Sequence, residues 1–154
     1  MKRILVVEDE QTLADIIGIK LKEEQFEVDH AYDGEQAYQA LIKSNLPDLV
    51  LLDVLLPKMS GFDVLQKLKD EKKPLPKIIV FSNFAQQSDI DKARSLGAVD
   101  YIVKAAFSPA EILSKIKAVF AQEGAAAPAQ NFDSMEDVKP MAEVLRPGEP
   151  NNNE

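Results

Sequence analysis

The chain has 154 residues, 45% of them hydrophobic, and a formal net charge of −8, which together predict one folded domain rather than a disordered chain. It contains no cysteine, which excludes disulfides, thiolate metal sites and cysteine nucleophiles. No apolar stretch approaches the roughly 20 residues of a membrane span, and the N-terminus lacks the long apolar region of a signal peptide. We therefore expect a cytoplasmic protein without membrane insertion.

The negative charge is unevenly distributed along the chain. Residues 1–122 carry 16 Lys and Arg against 19 Asp and Glu, whereas residues 123–154 carry 2 against 7. An acidic chain without a basic patch is unsuited to neutralising nucleic-acid phosphates, so we expect no direct contact with nucleic acid. The last segment is rich in Ala, Pro, Asn and acidic residues. This pattern predicts a domain over residues 1–122 and a disordered tail over residues 123–154.

Five apolar runs alternate with five segments of helical periodicity in the first 122 residues. The predicted strands are Arg3–Val7, Glu27–Ala31, Leu49–Leu52, Lys77–Phe81 and Tyr101–Val103. The predicted helices are Gln11–Glu24, Gly34–Ser44, Gly61–Asp70, Gln86–Leu96 and Pro109–Gln122. Such alternation predicts an α/β fold with a parallel sheet covered on both faces. The first, third and fourth strands are the most apolar and are expected at the centre of the sheet. Periodicity alone does not determine the full order of the five strands.

Polar residues follow four of these strands at the point where each one ends. Glu8 and Asp9 follow the first strand, Asp53 the third, Ser82 the fourth and Lys104 the fifth. Ligand sites in open α/β sheets lie at the carboxyl ends of strands, so these side chains are expected to meet. Carboxylates suit Mg²⁺, and an ammonium and a hydroxyl suit the oxygens of a phosphoryl group. The pattern predicts a divalent cation beside a phosphoryl group.

Four segments resemble the receiver domain of bacterial two-component response regulators, and they are Ile4–Glu10, Pro47–Gly61, Ile78–Ser82 and Leu96–Lys104. The resemblance covers roughly residues 2–122, and four segments in the right order are a specific signal. It implies a flavodoxin-like, doubly wound parallel sheet of five strands in the order 2-1-3-4-5, with five helices. It also implies a single-domain response regulator similar to chemotaxis regulators.

The resemblance implies a role for each acidic residue at the predicted site. Asp53 would accept a phosphoryl group from a sensor histidine kinase or a phosphotransfer protein. Glu8, Asp9 and Asp53 would bind Mg²⁺, and the backbone carbonyl of Leu55 would be a further ligand. The implied reactions are self-phosphorylation and self-dephosphorylation, without a separate substrate, so the chain is not expected to be an enzyme in the usual sense.

The resemblance also implies how the phosphoryl group changes the domain. Lys104 would pair with the phosphoryl group, Ser82 would move toward it, and Tyr101 would move inward behind Ser82. The coupled motion would change a face that binds a downstream protein target, and a homodimer formed on phosphorylation is a further expectation.

Three positions depart from the family pattern. Ala105 follows Lys104 where the family has a proline in a cis peptide, so we expect a trans bond and a shifted loop, because a cis bond without proline costs about 3 kcal/mol. Asn83 and Phe84 follow Ser82 and are expected to narrow access to the phosphoryl group and alter its lifetime.

Other interpretations remain open at this stage. The fold could serve as a phosphate-independent scaffold that binds proteins. A metal-dependent phosphohydrolase is a third hypothesis, although Leu55 stands where such enzymes carry a second aspartate. Asp9 could simply cap the first helix, and Tyr101 could simply pack in the core.

Overall fold

The computed structural model describes residues 1–83 and 86–122. The predicted tail over residues 123–154 and the predicted effect of Phe84 both lie outside these residues. In the described part of the chain, none of the helices is long and apolar enough to cross a membrane.

Within residues 1–83 and 86–122, five parallel strands and five helices alternate, as predicted. The strands are β1 (Arg3–Val7), β2 (Glu27–Ala31), β3 (Leu49–Leu52), β4 (Lys77–Ser82) and β5 (Asp100–Val103). The helices are α1 (Gln11–Glu23), α2 (Gly34–Leu41), α3 (Gly61–Asp70), α4 (Gln87–Ser95) and α5 (Pro109–Ala121), with a 3-10 turn at Lys104–Ala106. The sheet order is β2-β1-β3-β4-β5, so the predicted flavodoxin-like fold is confirmed.

Helix α2 is the one element whose end differs by more than one residue from the prediction. It ends at Leu41 instead of Ser44. The chain beyond it is tied to the start of β1, because the Arg3 guanidinium donates to the Asn45 carbonyl at 2.6 Å and the Arg3 N–H donates to Asp48 Oδ2 at 2.7 Å. This tertiary contact directs the segment toward β3 and ends the helix early.

The core consists of two apolar layers, one on each face of the sheet. Side chains along a strand alternate between the faces, so Val7 belongs to the layer under α2, α3 and α4, and Val6 to the layer under α1 and α5. The three central strands, β1, β3 and β4, are almost completely buried, as expected for parallel strands covered on both sides. This burial fixes the strands whose ends form the site.

The helix starts near the site have clear local causes. Ser108 and Glu111 form a capping box in front of α5, with Pro109 in the first turn. Ser60 forms a similar capping box that starts α3. Helix α1 begins after Glu10, whose side chain makes no capping hydrogen bond, so the interpretation of Asp9 as the cap of this helix is wrong.

Candidate functional site

The register of β1 and β3 brings Glu8 and Asp53 side by side. Val7 pairs with Leu52, the last residue of β3. The ladder then continues one residue further, because the Asp53 N–H donates to the Val7 carbonyl at 3.1 Å and the Glu8 N–H donates to the Ala31 carbonyl at 3.1 Å. The backbone positions of both acidic residues are therefore set by the sheet itself.

Three carboxylates form a cluster at this edge of the sheet. One oxygen each from Glu8, Asp9 and Asp53 lies within 4.8 Å of the others. Glu8 and Asp53 are buried, with 1% and 4% exposure, and Asp9 is exposed. Hard oxygen ligands at this spacing fit Mg²⁺, which also keeps several waters that an exposed ligand can accommodate. The predicted acidic residues are therefore brought together, in a donor set that suits the predicted ion.

The Lys104 ammonium lies between two of these carboxylates. Its Nζ is 2.8 Å from Asp53 Oδ2 and 2.6 Å from Glu8 Oε1. It also lies 5.1 Å from the centre of the Phe81 ring, a cation–π contact that sequence reasoning missed because an apolar residue in a buried strand is read as core. The described residues contain no cis peptide bond, so the predicted trans bond before Ala105 is confirmed. The predicted shift of the loop stays a prediction.

Burial and charge together set the protonation of this pair. Burial raises the pKa of the Asp53 carboxyl to about 6, with the Lys104 ammonium opposing the change and Glu8 adding to it. Burial acts to lower the pKa of the Lys104 ammonium, but its contacts with Asp53 and Glu8 outweigh that effect and raise this pKa overall. At neutral pH the site therefore holds an ionised Asp53 carboxylate beside a charged Lys104 ammonium.

Ser82 and Tyr101 lie on the two neighbouring strands next to this pair. Ser82 ends β4 and is 1% exposed, and Tyr101 in β5 is completely buried. Burial raises the pKa of the Tyr101 phenol above its ordinary range, and a hydrogen bond with the Ser82 side chain partly opposes this. The tyrosine thus packs in the core beside Ser82, and its role in a switch stays a prediction.

The β3–α3 loop, residues 53–60, leads from Asp53 to α3. The Leu55 N–H donates to Asp53 Oδ1 at 3.3 Å. The Gly61 N–H donates to the Val54 carbonyl at 2.8 Å, and a Cβ on Gly61 would lie 2.1 Å from the Asp53 carbonyl oxygen. The loop therefore turns back on Asp53, and only glycine fits where it closes. The Leu55 carbonyl as a metal ligand stays a prediction.

Comparison with known proteins identifies the family of this chain. The chain matches the family described as response regulator receiver domain over residues 4–117. It belongs to this family. The chain is also 35% identical over 139 residues to the alkaline phosphatase synthesis transcriptional regulatory protein PhoP of Bacillus subtilis. That match covers 88% of this chain and 56% of PhoP, so the chain spans about half the length of this relative.

Solved structures of similar sequence share the fold of this receiver domain. The response regulator TrrA of Thermotoga maritima, solved in complex with Mg²⁺ and BeF, is 36% identical with a TM-score of 0.65, over 77% of this chain and 98% of TrrA. A CheY-like receiver domain protein of Methanospirillum hungatei is 28% identical with a TM-score of 0.73, over 82% of this chain and 99% of that one. The chain is thus a receiver domain of two-component signalling.

Two further features of this receiver domain were not found from its sequence. The sequence predicted that Lys104 pairs with the phosphoryl group, and the structure adds its contact with Glu8, whose longer side chain reaches the ammonium. The contact of Gly61 with the Asp53 backbone was also missed, although its place at the end of the matched segment Pro47–Gly61 was a signal for a special backbone position. Asn83 is exposed beside Ser82, and its effect on phosphoryl lifetime stays a prediction.

Proposed function

We propose that this receiver domain accepts a phosphoryl group on Asp53 from the phosphohistidine of a sensor histidine kinase or a phosphotransfer protein. One observation carries the proposal: three carboxylate oxygens lie within 4.8 Å of one another, and Lys104 contacts two of the three residues. Catalysis of phosphoryl transfer depends mainly on positioning the reacting groups and on neutralising the charge of the phosphoryl oxygens. This cluster supplies both.

The transfer forms one bond and breaks another at phosphorus. An ionised oxygen of Asp53 attacks, the bond between phosphorus and the histidine nitrogen breaks, and the imidazole leaves and takes up a proton from solvent. Mg²⁺, held by Glu8, Asp9, Asp53 and the Leu55 carbonyl, would neutralise charge on the phosphoryl oxygens. Lys104 keeps its positive charge throughout, because its pKa is raised, and it pairs with a further phosphoryl oxygen. Hydrolysis of the acyl phosphate then returns the domain to its starting state.

The proposed output is a change in a protein-binding face. Ser82 lies at the end of β4 within reach of the same edge, and its side chain interacts with the Tyr101 phenol, whose pKa this interaction acts to lower. A phosphoryl group on Asp53 would compete for the Ser82 hydroxyl and so alter this contact. We place the downstream target in a separate protein, as in a single-domain regulator, and keep the homodimer formed on phosphorylation as an expectation.

A second candidate is a phosphate-independent scaffold that binds proteins. The observation that favours it is the complete burial of Tyr101, which packs as a core residue. If the inward tyrosine is the only arrangement the domain adopts, phosphorylation has no switch left to move.

The two candidates are separated by incubating the protein with acetyl phosphate and Mg²⁺ and reading its intact mass over time. Asp53→Asn removes the acceptor, and omission of Mg²⁺ removes the proposed ion. Asp91→Asn is the matched control, because Asp91 is an exposed carboxylate on α4. The receiver function predicts one phosphoryl adduct in the wild type and in Asp91→Asn, and none in Asp53→Asn or without Mg²⁺.

Absence of an adduct in a folded wild-type sample would favour the scaffold. An adduct that forms without changing the Tyr101 resonances in NMR spectra would show phosphorylation without a switch. An adduct that also forms on Asp53→Asn would place the acceptor elsewhere and would contradict the proposed role of Asp53.

A further inference from the structure

The β3–α3 loop is held by the start of α2, an element that contributes no residue to the carboxylate cluster. The Gly34 N–H donates to the Pro57 carbonyl at 3.1 Å. The preceding residue, Asp33, caps α2 by accepting from the Gln36 N–H at 2.7 Å. Its other oxygen, Oδ2, lies 3.4 Å from Lys58 Nζ. Helix α2 and the loop are thus joined by a main-chain hydrogen bond and an ion pair.

Gly34 leaves no room for a side chain against this loop. A Cβ on Gly34 would lie 2.0 Å from the Met59 carbonyl oxygen and 2.5 Å from the Met59 Cβ. Contacts between carbon and a carbonyl oxygen settle at roughly 3.3 Å or more. Alanine at this position would therefore push the loop backbone away by roughly 1 Å.

The part of the loop that α2 holds has an unfavourable backbone conformation. Lys58 has a φ of 71°, in the left-handed region that residues with a side chain rarely adopt. Such a conformation persists where surrounding contacts determine it. Two contacts do so here. Asp33 pairs with the Lys58 ammonium, and Gly34 packs against Pro57 and Met59, the residues on either side of Lys58.

We propose that Asp33 and Gly34 are positioning residues for the metal site, because they fix the loop that presents Leu55 and so set the affinity for Mg²⁺. The inference rests on the proposed function, in which the Leu55 carbonyl binds the ion. Gly61 holds the loop at Asp53, and Gly34 holds it from the other side at Met59. Neither Asp33 nor Gly34 touches a reacting atom, so each acts through the loop.

The test measures the Mg²⁺ dissociation constant of the full chain by NMR titration, together with urea unfolding. Gly34→Ala is expected to weaken Mg²⁺ binding at least about tenfold, the range seen when groups that orient metal ligands are removed. Asp33→Asn keeps a good helix cap but loses the charge opposite Lys58, and is expected to weaken binding about two- to threefold. Lys58→Gln should give the same loss, and the double variant should lose no more than either single one.

Gly97→Ala is the matched control for loss of stability. Gly97 has a φ of 104°, and a Cβ there would lie 3.1 Å from Leu75 at the opposite end of the sheet. This variant should be destabilised with an unchanged Mg²⁺ dissociation constant. If Gly34→Ala binds Mg²⁺ as the wild type does, or loses no more affinity than Gly97→Ala, the positioning role is overturned while the proposed function stands.

Two other outcomes are also decisive. If Gly34→Ala does not fold, an unchanged Mg²⁺ affinity in both Asp33→Asn and Lys58→Gln overturns the inference, and an equal, non-additive loss in them supports it. If the wild type itself shows no Mg²⁺ binding, the proposed function and the inference fall together.

Discussion

Replacing Asp53, the proposed phosphoryl acceptor, with its neutral isostere Asn should stabilise this protein. Asp53 is 4% exposed, and burial is the main reason why the pKa of its carboxyl is raised from 3.8 to about 6. An acid with a raised pKa in the folded state favours its protonated form there. Below about pH 3.8 the carboxyl is protonated and costs the folded state nothing. As pH rises from 3.8 toward 6, the free energy of unfolding falls, and above about pH 6 the full cost of burying the charged carboxylate is present. Asn at this position imitates the protonated acid at every pH.

The size of the effect follows from the same pKa. The difference between 3.8 and about 6 corresponds to about 3 kcal/mol, which is the upper limit for Asp53→Asn at pH 7.5. Lys104 loses one partner in this variant but keeps Glu8 at 2.6 Å, so no buried cation is left alone. We expect a gain of about 1 to 3 kcal/mol in the free energy of unfolding at pH 7.5, shrinking toward zero near pH 4.

Urea denaturation followed by far-ultraviolet circular dichroism measures this gain, with Asp91→Asn as a control that should change it by less than about 0.5 kcal/mol. Adding Mg²⁺ should narrow the gap, because the ion stabilises only the chain that binds it, by about 1.4 kcal/mol at ten times the dissociation constant. A variant no more stable than the wild type at pH 7.5, or a gain that does not depend on pH, would refute the reasoning from burial.

Three further predictions concern the same edge of the sheet. Lys104→Met should lower the free energy of unfolding by about 3 kcal/mol at pH 7.5, since it leaves buried carboxylates unpaired. Its intact mass after incubation with acetyl phosphate and Mg²⁺ should show little phosphoryl adduct. An adduct yield equal to that of the wild type would contradict the role of the ammonium. Gly61→Ala should cost about 2 kcal/mol in urea unfolding and abolish the adduct, because its Cβ would lie 2.1 Å from the Asp53 carbonyl oxygen; an adduct at wild-type rate would mean that the loop adapts. Ser82→Ala and Tyr101→Phe should show a coupling of about 1 kcal/mol in a double-mutant cycle of unfolding, and strictly additive effects would argue against the hydrogen bond.

The fold and the gathering of the site residues could be predicted from the sequence because both depend on strand ends. Continuous apolar runs such as Leu49–Leu52 identify buried parallel strands, and the polar residue that follows each run must then lie at one edge. The order of the strands needed the family resemblance, since periodicity identifies strands but not their neighbours. The early end of α2 was missed because Arg3, distant in the chain, causes it.

Close backbone contacts and the pairing of charged side chains could not be predicted from the sequence, for a different reason. The lack of room at Gly34 and Gly61 depends on ångström distances between separate segments, which a residue type does not encode. The division of the Lys104 ammonium between Asp53 and Glu8 depends on which rotamers the burial allows. Tyr101 could be predicted as core or as switch; the structure shows that it is buried, and its role in a switch stays a prediction.

The continuation of the ladder past β1 and β3 has a consequence for hydrogen exchange. The Glu8 and Asp53 amides donate to carbonyls of neighbouring strands, so they exchange with solvent only when those strands separate, in the slowest opening of the domain. The Leu55 amide donates only to a side chain in the β3–α3 loop and is released by a local opening of that loop. The backbones that carry the two carboxylates are therefore expected to stay in place during any opening of the loop that leaves the sheet intact. Phosphoryl donors and hydrolytic water would reach Asp53 on the time scale of the loop, and the acceptor itself would persist on the time scale of global unfolding.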